Sequence, residues 1–291
     1  MSPLTSRRFF IKLFGAGAVI MTIPKKSLAG EEPERTIAAR PAEEMRPGEI
    51  IQAIAQGPFA FIPVSPMLEW HSYHLPLGVD ALVSEGVARQ ICHITGGVWF
   101  RPLSFGLDST RNGEQLAMWG FNQDEQVYGM NFPDVPLASE YCLRPEMIAA
   151  VRNRLAILAR MKVKHAFIIN HHGGAGQVET LQEIAAQATT ATLRVHAVRT
   201  YQFNDLTEAE GFYGVGGHAD YSETLWLLAF RPELVDVSTL PEGELAVRKY
   251  GILHNKPVIE ARWNPRNVDV KVAQLLNRRV VDNFVKYINA L

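Results

Sequence analysis

The chain has 291 residues, enough for one large domain or two small ones and for a substantial buried core. It is 47% hydrophobic and 20% charged with a formal net charge of −1, a balance that gives no footing to a nucleic-acid partner. No apolar run reaches the roughly 18–20 residues needed to cross a bilayer, so no stable membrane span is expected.

The first thirty residues, MSPLTSRRFFIKLFGAGAVIMTIPKKSLAG, stand apart from the rest. A basic opening precedes an apolar run from Leu13 to Ile23, and Ser27 and Ala29 supply small side chains for a signal peptidase. Arg7 and Arg8 within SRRFFIK resemble a twin-arginine export signal, and the weakly apolar run and the Lys25–Lys26 pair suit that route. An amphipathic N-terminal helix is the competing reading. Residues 1–29 are therefore expected to be a signal peptide recognised by the twin-arginine export machinery, with a mature protein that is periplasmic or extracellular. Without those residues, which carry five basic and no acidic side chains, 24 Lys+Arg face 30 Asp+Glu, a net of −6. Cys92 and Cys142 would then meet an oxidising compartment. A protein that folds before export does not require a bridge between them.

Residues 30–57 are charged and proline-bearing at first and read as a linker and first helix. The apolar run 58–65 predicts a buried strand, and Leu82, Val83, Val87 and Ile91 recur at helical spacing after Asp80. Residues 98–105 predict another strand. The stretch 106–140 has weak periodicity and is long enough for a lid or an oligomer arm. A helix over 147–161, a strand over 165–170, a helix over 176–190 and a strand over 193–200 follow. A helix over 222–230 is expected to be capped by Ser222, and a long helix closes the chain. Strands alternating with helices imply parallel pairing and an α/β fold, here a layered α/β/α single domain over 58–291 with a mainly parallel central sheet. In such sheets, reactive side chains gather beyond the carboxyl ends of the strands.

Three polar clusters lie at such places. The first, EWHSYHLPLGVD, holds Glu69, His71, His74 and Asp80; Pro76 and Gly78 turn the chain so that Asp80 returns beside Glu69 and His71. Carboxylates and a neutral imidazole suit zinc, manganese and other first-row divalent ions, although a crowded polar loop would look the same. His74 is a candidate partner to one of these groups. The second cluster, INHHGGAG, places Asn170, His171 and His172 ahead of a glycine-rich turn. Such a turn can cradle phosphate, but neither G-x-G-x-x-G nor a Lys-Ser/Thr pair is present. The third, GVGGHADYSETLW, carries His218 and Glu223. Helix capping accounts for Ser222 and in part for Glu223 through the helix dipole, but not for His218.

Taken in order, these clusters resemble the three motifs of the creatininase family of metal-dependent amidohydrolases, over about residues 58–230. The first motif, Glu-x-His-(small)-x-His-Leu-Pro-x-x-x-Asp, is reproduced without a gap; NHHGGA stands in place of the second and HADYSETL in place of the third. The resemblance implies that Glu69, His71, Asp80 and His172 are metal ligands, Asp80 bridging two ions, and that His218 and Glu223 complete the catalytic pocket. It also implies that a hydroxide held between two divalent ions, zinc or manganese with iron a further candidate, attacks a C–N bond in a small-molecule amide, cyclic amide or formamide. A closed homo-oligomer, often a hexamer, is the family's usual assembly.

Two departures qualify the match. Gly174 stands where creatinine-hydrolysing members carry a glutamate ligand, and Glu223 is expected to supply the missing carboxylate or to serve as a proton shuttle. No tryptophan occurs between residues 120 and 225 to close over a flat ring, so creatinine itself is disfavoured. His171 and Tyr213 are the expected substrate contacts. The alternatives are the same two-metal site acting on a lactone, peptide or C–C bond, or an exported metal-binding protein without turnover.

Overall fold

The structure, a computed structural model, describes residues 40–214, 216–254 and 261–291. The expected export signal and the start of the linker lie outside the described residues. In chain order the helices and strands are α1 (Pro47–Gln56), β1 (Phe59–Ser65), α2 (Val79–Thr95), β2 (Val98–Trp99), β3 (Leu103–Ser104), α3 (Gly113–Met118) and α4 (Arg144–Arg160). They continue with β4 (His165–Asn170), α5 (Gln177–Ala188), β5 (Arg194–Arg199), β6 (Gly217–His218), α6 (Tyr221–Phe230), α7 (Val247–Tyr250), β7 (Leu253–His254) and α8 (Val270–Asn289).

The central sheet runs β2–β1–β4–β5, every pairing parallel, with β3 also beside β1. The single strand expected at 98–105 is two short ones: β2 pairs Val98 with Ala60, and β3 pairs Leu103 with Val64. Pro102 lies between them, and without an N–H it cannot continue the ladder. β1 and β4 read as nearly continuous apolar runs because both of their faces are covered. Phe61, Phe167, Ile169 and Val198 point to one core, shared with α2, α6 and α8. Ala60, Ile62, Val64, Ala166, Ile168 and Val195 alternate to the other, shared with α1, α4 and α5. The two-residue period of the strands thus builds an α/β/α sandwich, as the alternating sequence pattern leads one to expect.

Local chemistry sets the helix ends. α4 starts at Arg144, where the Glu146 carboxylate accepts the Leu143 N–H at 2.8 Å. α8 buries Ala273, Leu276, Val280, Val281, Phe284 and Ile288 on one stripe, and Asp269 caps its first turn by accepting the Lys271 N–H at 2.7 Å. At α6 the expected cap is corrected: Asp220, not Ser222, has the extended backbone, and its carboxylate accepts the N–H groups of Ser222 (2.9 Å) and Glu223 (3.1 Å). Ser222 instead donates its hydroxyl to the same oxygen at 2.8 Å.

The stretch 106–140 folds around α3, with a small core of Leu116, Phe121, Val127, Met130 and Phe132 closed by Leu253 of β7. Phe121 and Phe132 stack with ring centres 5.5 Å apart. Cys92 is buried on α2, and neither it nor Cys142 forms a disulfide. No helix among the described residues is long and apolar enough to cross a membrane.

Candidate metal centre

The centre lies beyond the carboxyl ends of β1 and β4. After β1 the chain loops back so that the Glu69 N–H donates to Leu77 C=O at 3.0 Å, which brings the first turn of α2, and Asp80 with it, beside Glu69. After β4, Asn170 grips the turn: its Nδ2 donates to the His172 carbonyl at 2.8 Å and its Oδ1 accepts the His172 N–H at 3.1 Å. Ala219, in the left-handed region at φ 51°, turns the chain between His218 of β6 and the cap of α6.

These turns bring the sequence-predicted ligands together. Three sets, Glu69–His71–His218, Glu69–Asp80–His172 and His71–Asp80–Glu223, each place their ligand atoms within 4.8 Å of one another. His172 Nδ1 lies 2.8 Å from Asp80 Oδ2 and 3.3 Å from Glu69 Oε2. Glu223 Oε2 lies 3.6 Å from both His71 Nε2 and His218 Nδ1 and accepts the Ala219 N–H at 2.6 Å.

The three imidazoles share one arrangement. His71 Nδ1 meets the Glu69 carbonyl at 3.0 Å, His172 Nε2 meets the Leu107 carbonyl at 3.0 Å, and His218 Nε2 meets the Trp70 carbonyl. A carbonyl only accepts, so each of those nitrogens carries the proton, and the opposite nitrogen is turned toward the carboxylates. This is how proteins orient imidazoles that bind metals. Glu69 Oε2, His71 Nε2 and Asp80 Oδ1 are buried without a hydrogen-bond partner, a costly condition that a shared cation relieves. The donor set therefore fits divalent ions.

The electrostatics agree. Burial opposes charge on His172, yet the Glu69 and Asp80 carboxylates overcome it and hold its pKa well above the usual value. Burial likewise opposes charge on Glu69, but His172, His218 and His71 hold its carboxyl well below the carboxylate range. Burial, Asp80 and Asp220 push Glu223 well above that range. His218 is pushed down to about 4 by burial and by His71, and is neutral at pH 7. A divalent cation competes with the His172 proton for the same lone pair.

The remaining expected residues fall as follows. His74 is buried and linked to Thr224 Oγ1 at 2.8 Å; burial and then His71 push its pKa down to about 3. His171 lines the cavity over the centre, bonded to Thr200 Oγ1, with its ring 5.0 Å from Trp226. Tyr213 does not line that cavity: it packs against Tyr221 at 5.4 Å, and its neighbour Phe212 takes the wall. The cavity, about 600 Å³, is also walled by Trp119 and Trp226, which lie just outside the interval that lacks tryptophan.

Sequence reasoning missed several contributors. Tyr141 donates to Glu69, Leu107 supplies a carbonyl to His172, and Asp220 joins the α6 cap to His254 at 3.3 Å. Tyr141 and Leu107 lie outside the three motifs, whereas Asp220 lies within HADYSETL. Only the i−3 spacing of Asp220 from Glu223, a cap signature, could have pointed to one of them.

A parallel α/β sheet bearing an imidazole–carboxylate cluster at its strand ends defines a class of α/β proteins with a candidate two-metal centre. The chain belongs to the creatininase family, whose model (creatininase, creatinine amidohydrolase) matches residues 43–288. Its fold matches a mutant creatininase of the Zn–Zn type with TM-score 0.61 and 18% identity, covering 86% of this chain and 96% of that one. A structure named creatininase Mn gives 0.60 and 16%, covering 86% and 97%. A creatinine amidohydrolase (creatininase) gives 0.60 and 19%, covering 86% and 96%. No curated protein matches the chain.

Proposed function

We propose that this chain is a metal-dependent hydrolase that cleaves a C–N bond in a small amide, cyclic amide or formamide. The supporting observation is the convergence of three imidazole lone pairs, each set by a main-chain carbonyl, on the carboxylates of Glu69, Asp80 and Glu223. Glu69, Asp80 and His172 would hold one divalent ion; His71, Asp80 and Glu223 would hold a second, with Asp80 common to both. Zinc and manganese suit these donors, and iron shares the preference. Such ions supply Lewis acidity to an amide oxygen and acidify water to near neutral pH.

The chain's own groups then orient the substrate and move protons. Trp119, Trp226 and Phe212 give the cavity apolar walls that limit bulk water around the amide. His218 presents Nδ1 with its lone pair free, because Nε2–H is committed to Trp70. Where Glu223 is not a ligand, its Oε2, 3.6 Å from that nitrogen, is placed to take the attacking water's proton and hand it on. His218 would pass the proton to the leaving nitrogen. Glu223 would otherwise remain a ligand throughout, and retention of two metal equivalents by Glu223→Gln would favour the shuttle.

The test is metal-stripped protein reloaded with zinc or manganese and assayed on cyclic amides, formamides, lactones and peptides. Turnover of C–N substrates only when metal is present supports the reading, and Asp80→Ala and His172→Ala should lose both metal and turnover. Full metal occupancy in either variant would overturn the ligand assignment. Tight metal binding without turnover on any substrate would leave a metal-binding protein instead.

A further inference from the structure

Asp108, Ser109, Arg111, Gln115 and Trp119 form one stretch of the cavity lining, and it carries several hydrogen-bond donors. Arg111 is the one lysine or arginine among the described residues lining the cavity, and its side chain is only 11% exposed. Its Nε donates to the Gly129 carbonyl at 3.0 Å and its Nη2 to Asp108 Oδ2 at 2.8 Å, so the guanidinium plane is fixed from one side. Nη1 has no hydrogen bond within the described residues. Its ring neighbour Trp119, 5.9 Å from the guanidinium carbon, carries a buried Nε1–H with no partner. Gln115 accepts the Asn112 N–H through Oε1 at 3.2 Å, which leaves its amide NH2 as a third donor on the same wall.

Buried donors without acceptors are costly, and a guanidinium fixed on one edge matches the planar fork of a carboxylate on the other. The wall is also tied to the candidate metal centre. The Leu107 carbonyl accepts from His172 Nε2, and Arg111 follows four residues later, at most about 14 Å of chain away. A substrate spanning both would be a small molecule with an amide at one end and an acceptor group at the other.

We propose that Arg111, with Trp119 and Gln115, forms a carboxylate-binding subsite, so that the preferred substrates are amides bearing a free carboxylate. The proposal rests on the hydrolase reading for its amide half and on this wall alone for its carboxylate half. Asp108 is the positioning partner: its other oxygen accepts the Ser109 N–H at 2.7 Å, and together these bonds fix one edge of the guanidinium of this cavity-lining residue.

The test compares the metal-loaded protein on substrate pairs that differ only in carboxylate against carboxamide, N-formylglycine and N-formylglycinamide among them. The carboxylates should show a KM about tenfold lower or better, and Arg111→Gln should abolish that preference while changing kcat about twofold or less. Removing one partner leaves Asp108 buried and unpaired, so Asp108→Asn with Arg111→Gln is measured alongside, and the same loss is expected. Equal effects on both members of each pair, or preference for the uncharged member, would overturn the subsite. Should no amide be turned over, the hydrolase reading fails on its own, and the melting temperature in succinate against succinamide still decides the subsite. Stabilisation by succinate that disappears in the double variant supports it; stabilisation that persists there, or none at all, overturns it.

Discussion

Tyr141 Oη donates a 2.6 Å hydrogen bond to Glu69 Oε1 while accepting one of 2.9 Å from the Met130 N–H. Burial and the Glu69 charge push the phenol's pKa up, so it remains a donor at any working pH. One Glu69 oxygen is thereby held, and the other, Oε2, is left facing Asp80 and His172. Tyr141→Phe should lower metal affinity about 10–100-fold, as loss of a bond to a ligand carboxylate does elsewhere. It should also cost about 1–2 kcal/mol of stability by leaving Oε1 buried and unsatisfied. Chelator competition and thermal melts measure the two effects. Unchanged affinity would show that Tyr141 does not position Glu69.

Gly174 and Gly173 make a matched pair. A Cβ at Gly174 would stand 2.0 Å from His172 Nε2 and 2.1 Å from the Leu107 carbonyl, whereas one at Gly173 meets nothing within 4 Å. No side chain fits at 174 while the His172 ring keeps its bond to Leu107, so a carboxylate for the proposed second ion would come from elsewhere, and Glu223 Oε2 lies 3.6 Å from His71 Nε2. Gly174→Ala should cost about 1–3 kcal/mol through overpacking and reduce bound metal. Gly173→Ala should stay within about 0.5 kcal/mol of the parent and keep its metal. Elemental analysis with melting curves checks both, and equal behaviour of the two variants would refute the packing argument.

The sheet and its helices were legible because periodicity is local: β4 is His165–Asn170, as the apolar run 165–170 implied. Residue types likewise marked Glu69, His71, Asp80, His172, His218 and Glu223, which fold into contact. Partners distant in sequence were not legible. The carbonyl that orients His218 belongs to Trp70, 148 positions away, and the hydroxyl that holds Glu69 belongs to Tyr141, 72 positions away. Main-chain carbonyls carry no sequence signature, and a lone tyrosine has no periodicity. The α6 cap was misplaced by two residues because Asp220 and Ser222 are both good caps, and only backbone conformation decides between them. The stretch 106–140 gave no pattern because its small core closes on Leu253, more than a hundred residues later.

We propose that the chain is exported by the twin-arginine route, on the strength of SRRFFIK and the apolar run that follows. Lysine is a poor substitute for the paired guanidiniums, so Arg7→Lys with Arg8→Lys should hold the unprocessed chain in the cytoplasm. Fractionation of producing bacteria, with the N-terminus of the exported form sequenced, checks this. Continued export of the double variant would remove the proposal.

A final prediction concerns stability. On β4 and β5, His165 and His196 stack with ring centres 5.5 Å apart and share a 3.2 Å contact between Nδ1 and Nε2, and His196 Nδ1 lies 3.3 Å from Tyr287 Oη. Burial, His165 and Arg194 push the His196 pKa down to about 4, so the folded protein keeps this ring neutral well below its unfolded value of about 6.5. The sign follows: as pH falls from about 6.5 to about 4, the unfolded chain takes up the proton first, so stability is lost across that window and not above it. For this half-exposed ring the loss is about 1–2 kcal/mol after allowance for solvent screening. His196→Phe keeps the stack on Phe167, whose ring centre lies 4.8 Å away, and removes the titration. Melting temperatures of metal-free parent and variant between pH 7.5 and 4 should fall less steeply for the variant; parallel curves would show that His196 does not titrate in this way.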